Sequence, residues 1–183
     1  MAANPWKTPQ DVLELINQVK DKYHSERLAD ASIVACFDDS KPFIRNKINL
    51  GKVAKFNHIA RLWQDYKPDF CLVICAELWQ NVLKSPEREA LVDLLLSRCE
   101  VELVPETFEE NGKKKPVKDE WGRIQYSKEI KVDDEGIPKW KIAPLDLELF
   151  AKNVRRYGLW LDDLLEMKEA IDSATSEVKS EDK

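Results

Sequence analysis

The stretch Ser85 to Cys99, SPEREALVDLLLSRC, constrains this chain more than any other, because it demands burial on nearly every side. Ser85 suits an N-cap, and Pro86 suits the first helical position, where its missing N–H costs nothing. Glu87 and Glu89 stand in the first turn, where the helix dipole favours negative charge. Leu91, Leu94, Leu95 and Leu96 then nearly encircle the axis, interrupted only by Asp93, Ser97 and Arg98. A helix that is apolar on most sides belongs in the middle of a domain.

The remaining segments supply what would bury it. Thr8-Pro9-Gln10-Asp11 reads as a helix start, and Val12, Leu13, Ile16, Val19 and Tyr23 mark one apolar face to about His24. Ala31–Phe37 reads as a strand, with Asp38-Asp39 as an exposed turn after it. Ile48–Phe56 reads as a second strand, at a sheet edge because of Lys52 and Lys55, with Gly51 marking a bulge or a close backbone approach. Asn57 is expected to cap a short helix carrying Ile59, Ala60 and Trp63. Phe70–Ala76 is continuously apolar and should lie centrally in the sheet, its end covered by Trp79 and Leu83.

From Val101 the chain becomes polar, and residues 105–122 read as a mobile, solvated loop in which acids flank Lys113, Lys114 and Lys115. Arg123–Val132 and Ile137–Ile142, joined by Asp133-Asp134-Glu135-Gly136, read as a β-hairpin. Asp146–Tyr157 predicts a helix with Leu147, Phe150 and Val154 inward, stopped by Gly158. Leu159 to about Ile171 predicts a final amphipathic helix. The expected fold is therefore α+β: a small mixed sheet packed on a central helix, with a C-terminal helical pair. Residues 1–173 are expected to form a single domain and residues 174–183 a disordered polar tail.

The order and spacing of several segments resemble the phage metallopeptidase family, a zincin-like group. The residues that carry the resemblance are Leu50-Gly51-Lys52, Asp69-Phe70, Trp79, Arg88-Glu89-Ala90-Leu91, Asp93, Leu96, Asp146, Phe150 and Arg156-Tyr157-Gly158. In that family the central helix reads roughly ALxDHELxH, and a downstream HDxxxF segment brings a third metal ligand. The resemblance implies that Leu94 and Arg98 stand at the two histidine positions, Leu95 at the glutamate base and Leu145 at the third ligand. Leucine neither binds a metal nor accepts a proton, and a zinc hydrolase needs both functions. The chain is therefore expected to be a pseudoenzyme with no metal and no cofactor. Its former site is expected to be plugged by Leu94, Leu95 and Leu145, with Arg98 paired to Asp146 in a buried ion pair.

Four cysteines, Cys36, Cys71, Cys75 and Cys99, are expected as reduced core thiols. His24 reads as a helix-end residue facing the dipole, and His58 as a surface residue. The beginning of the chain is polar and no apolar run could span a bilayer, so a cytoplasmic location is expected, the host's if the gene is phage-borne. The expected role is binding, as an inhibitor or other partner of a host or phage protein. Phe108, Lys113, Lys114, Lys115, Trp121 and Trp140 form the candidate surface. Two alternatives stay open. A nucleic-acid binder could use the lysine run and the aromatics, although the net charge of −5 opposes it. An active metal-dependent hydrolase with relocated ligands would need histidines of which the chain has two.

Overall fold

The computed structural model describes residues 4–44, 47–55, 68–110, 112–145, 147–160, 165 and 168–169. The fold is α+β, as the pattern of helical and alternating segments requires. A four-stranded sheet runs β1 (Trp6–Lys7), β2 (Ile33–Asp38), β6 (Phe70–Cys75) and β5 (Lys52–Lys55) in spatial order. The β2–β6 pair is parallel, and both outer pairs are antiparallel. β6 is buried at every position, as its unbroken apolar run demands. β5 is the edge, and its exposed Lys52 and Lys55 discourage further pairing. A small ribbon of β3 (Phe43–Ile44) and β4 (Lys47–Ile48) precedes it. Gly51 separates β4 from β5 at φ +70°, and a Cβ there would collide with the Val73 carbonyl oxygen. Close approach to β6 is thus what requires glycine.

Alternation assigns the two sheet faces. Ala35, Phe37, Val53, Phe70, Leu72 and Ile74 join the main core, whereas Val34, Cys36, Ala54, Cys71 and Val73 form a smaller cluster on the opposite face. Helix α1 (Gln10–Tyr23) adds Val12, Ile16 and Val19 to the main core. A short α2 (Ser25–Leu28) follows. Thr8 does not cap α1: its hydroxyl donates to the Ala35 carbonyl at 3.3 Å, tying the entry to β2.

A π-helical turn at Leu78–Val82 leads into α3 (Ser85–Ser97), the expected central helix. The backbone N–H of Lys84, not Ser85, occupies the cap, donating to the Glu87 carboxylate at 2.6 Å. Leu91, Leu94, Leu95 and Leu96 are all buried, and so is Asp93, with no exposed surface at all. Cys99 is buried too, and loss of solvent pushes its thiol up to about 12.

Beyond α3 the chain builds a β-arm. β7 (Cys99–Val101) pairs with β12 (Trp140–Ile142), and β8 (Leu103–Pro105) pairs with β11 (Tyr126–Ile130). The tip carries β9 (Thr107–Glu110) and β10 (Lys113–Pro116). Two expectations change here. The 105–122 segment, expected as a loop, contains a two-residue hairpin with Gly112 at φ +71°, although every position of β9 and β10 is exposed as solvation implied. The Asp133 turn forms, its carboxylate accepting the Glu135 and Ile137 N–H groups at 2.9 Å. Its flanking strands, however, touch mainly through the Val132–Pro138 bridge and take their ladders from β8 and β7.

Helix α4 (Leu147–Tyr157) ends at Gly158, φ +73°. The Asn57 helix, His58, most of the final helix and the polar tail lie outside the described residues.

Candidate functional site

Asp93 organises the densest polar cluster among the described residues. It sits mid-helix on α3, where an unpaired carboxylate would cost several kcal/mol. Three side chains from two other segments meet it. His24, the residue ending α1, places Nε2 2.8 Å from Oδ1. Asn153 of α4 donates Nδ2–H to Oδ2 at 2.9 Å and shares that amide with the Ala90 carbonyl. Arg156, one turn further along α4, donates to Oδ1. Burial pushes the Asp93 carboxyl up, but the hydrogen bonds from His24 and Asn153 and the charge of Arg156 outweigh it, holding the group below the usual carboxylate range.

The surrounding contacts settle the proton positions. Arg27 of α2 approaches His24 Nδ1 at 3.0 Å, and a guanidinium only donates. Nδ1 is therefore the acceptor, and Nε2 carries the proton given to Asp93. Arg27 also donates to the Leu96 and Ser97 carbonyls, at 3.2 and 3.4 Å. Asn153 Oδ1 accepts the Trp160 indole N–H at 2.8 Å, and the Ser97 hydroxyl donates to the Asp93 carbonyl at 2.9 Å. A carboxylate orienting a histidine is the arrangement of a general base. Here the second imidazole nitrogen accepts from the Arg27 guanidinium, so both ring nitrogens are engaged and the dyad ties the α1–α2 corner to α3.

Beside this cluster lies a cleft of about 450 Å³ lined by Lys22, Tyr23, His24, Ser25, Glu26, Arg27, Ser97, Lys152 and Arg156. The Tyr23 ring carries Lys22 Nζ at 4.7 Å and the Arg156 guanidinium at 4.5 Å, with Tyr157 edge-on at 6.1 Å. Lys22 pairs with Glu89 at 3.3 Å.

The expected site residues divide. Leu94 and Leu95 are buried, at 1% and 2% exposure. Leu145 is 44% exposed in the segment after β12, so the expected three-leucine plug does not form: Leu145 faces solvent while the other two pack inside. Arg98 is half-buried at the end of α3, and its Nε donates to the Ala143 carbonyl at 3.1 Å. Asp146, its expected partner, lies outside the described residues. Among the described residues no three His, Cys, Asp or Glu side chains converge as metal ligands do.

Of the expected interaction surface, Phe108 and Trp121 are exposed, at 48% and 71%. Lys113, Lys114 and Lys115 are exposed too, but Lys113 and Lys114 stand opposite Glu110 and Glu109, and Lys115 pairs with Glu110. Trp140 does not belong to that surface: it packs edge-on against Phe70, centroids 5.7 Å apart, and borders the main core.

Asn153, Arg27 and the role of His24 were not anticipated. One signal existed. A lone aspartate inside an otherwise apolar helix needs buried donors, and helices rich in cations flank it in sequence.

A family model described as putative phage metallopeptidase matches residues 4–175. The chain belongs to that family. No curated protein and no solved structure matches it. The match spans α1 through α4, so the Asp93 cluster and the β-arm both lie within the family's own extent. No helix among the described residues is long and apolar enough to cross a membrane.

Proposed function

We propose that this phage metallopeptidase-like chain is non-catalytic and works by binding a protein, host or phage, through its β-arm. One observation carries the reading: large apolar side chains left in solvent gather on that arm. Phe108, Trp121, Ile124, Tyr126, Ile130, Val132 and Ile137 are each at least 40% exposed between the tip hairpin and the Asp133 turn. Clustered exposed apolar groups with aromatic anchors are what a protein interface uses.

The loss of catalysis is supported by donor chemistry. Two hydrocarbon side chains and a guanidinium stand at the helix positions where the family resemblance puts ligands and base, and they do not fit a zinc ion. The nucleic-acid alternative is disfavoured by the glutamates facing the lysine run, which cancel its field at short range. Inhibition of a host defence or host process is one form that such binding would take.

The test has two parts. Elemental analysis of protein purified without chelator should find no stoichiometric transition metal; finding one overturns the non-catalytic reading. Affinity capture should then compare the wild-type chain with a Phe108→Ser, Trp121→Ser, Tyr126→Ser variant that leaves Trp140 in place. Partner recovery should fall at least tenfold, and equal recovery would place the interface elsewhere.

A further inference from the structure

We propose that the cleft between the α1–α2 corner and α4 binds a small phosphate-bearing molecule. This goes beyond the proposed function, because the lining contains no residue of the β-arm and none of Leu94, Leu95, Arg98 or Leu145. Its volume of about 450 Å³ falls within the roughly 300–1,000 Å³ typical of small-molecule sites. Lys22, Arg27, Lys152 and Arg156 line it, against Glu26 as the one acid of the lining, in a chain whose net charge is −5. Cations have been drawn together here against the overall composition.

Two of these cations are held in advance. Arg27 is fixed by His24 Nδ1 and by the Leu96 and Ser97 carbonyls. Arg156 is anchored on Asp93 and lies over the Tyr23 ring. A ligand meeting them would not have to immobilise two long side chains, a saving that favours binding. Asp93 takes a single N–H of Arg156 among the described contacts, and a guanidinium has five, so most of its donor fork remains for a tetrahedral oxyanion.

The other charges define the ligand's size. Asp93 is buried behind Arg156, while Glu89 lies beside Lys22 and Glu100 lies 3.8 Å from Arg27. These acids hold the cations without lining the cavity, and they would repel an extended polyanion. A compact dianion meets the cationic lining with fewer of these carboxylates beside it than a longer polyanion would. Tyr23 already carries two cations and the edge of Tyr157, so it offers no platform for a stacked base. Recognition therefore rests on the phosphate.

The test is titration of the full-length chain with inorganic phosphate and with phenyl phosphate at constant ionic strength, followed by nuclear magnetic resonance, with acetate as the monoanion control. Lys22 and Lys152 are exposed, so Lys22→Ala and Lys152→Ala should fold normally. The expected result is saturable shifting of cleft residues by both phosphate probes, weakened at least tenfold in the double variant. Arg155→Ala, exposed on α4 but outside the lining, should change affinity less than twofold. Failure of both probes to saturate overturns the proposal. So does equal binding by the double variant, equal competition by acetate, or binding seen with phosphatidic acid vesicles alone.

Discussion

Two regions of this molecule use the same charged residue types to opposite ends. Around Asp93 a carboxylate with no exposed surface meets His24, Asn153 and Arg156, brought from two other helices. At the arm's tip, Glu110 and Lys115 form a pair in which both side chains are about half exposed. The first must be satisfied or the core pays for a stranded charge; the second trades water for a partner at little net gain. The buried charges at Asp93 determine how α1, α3 and α4 meet, whereas the arm's pairs, Arg123–Asp119 and Lys131–Glu102 among them, lie in solvent and constrain little.

The largest way to break that contrast is Asp93→Ala. It strands three donors, and the unfolding free energy should fall by about 3–5 kcal/mol, read as a lower urea midpoint at unchanged slope. A midpoint shift no larger than that of a surface change would show that the cluster is not structural.

Within the arm, the two tryptophans separate its root from its tip. Trp140→Ala removes the contact with Phe70 and should cost about 3 kcal/mol, whereas Trp121→Ala should stay within about 0.5 kcal/mol. Equal losses would mean that the tip is packed more tightly than its exposure indicates.

A pH series sharpens the inside term. Asp93 is held below its ordinary value in the folded chain, so its contribution is fully present above the unfolded carboxylate pKa of about 3.9 and is lost as pH falls through the folded value. The acid limb of the stability curve should therefore be shallower in Asp93→Asn than in wild type. An unchanged limb would assign acid sensitivity to other carboxylates. The smallest effect is expected from Lys115→Gln, less than about 1 kcal/mol and diminishing with added salt.

Local chemistry was readable wherever a few neighbouring residues decide a conformation. The apolar girdle of α3, the glycine stops and the Asp133 turn all follow from short stretches. The tip hairpin has an equally local signature, Asn111-Gly112 between TFEE and KKKP, which the polarity of its surroundings disguises as a loop. High solvation excludes a core, but it does not exclude a ladder. Trp140 shows the converse: a tryptophan between lysines reads as an exposed anchor, because nothing local marks the Phe70 ring that covers it.

Pattern alone dictates that α3 is enclosed and that β6 is central with β5 at an edge, and it marks Gly51 as a bulge or a close backbone approach. Each depends on periodicity, charge or backbone freedom, which act over a few residues. Long-range packing sets what Asp93 touches, which strands β11 and β12 pair with, and that Leu145 faces water while Leu94 does not. His24, Asn153 and Arg156 lie 69, 60 and 63 positions from Asp93, and no local pattern ties them together. Their meeting follows from the way α1 and α4 both pack against α3, where a buried carboxylate accepts whatever donors the packing brings within reach.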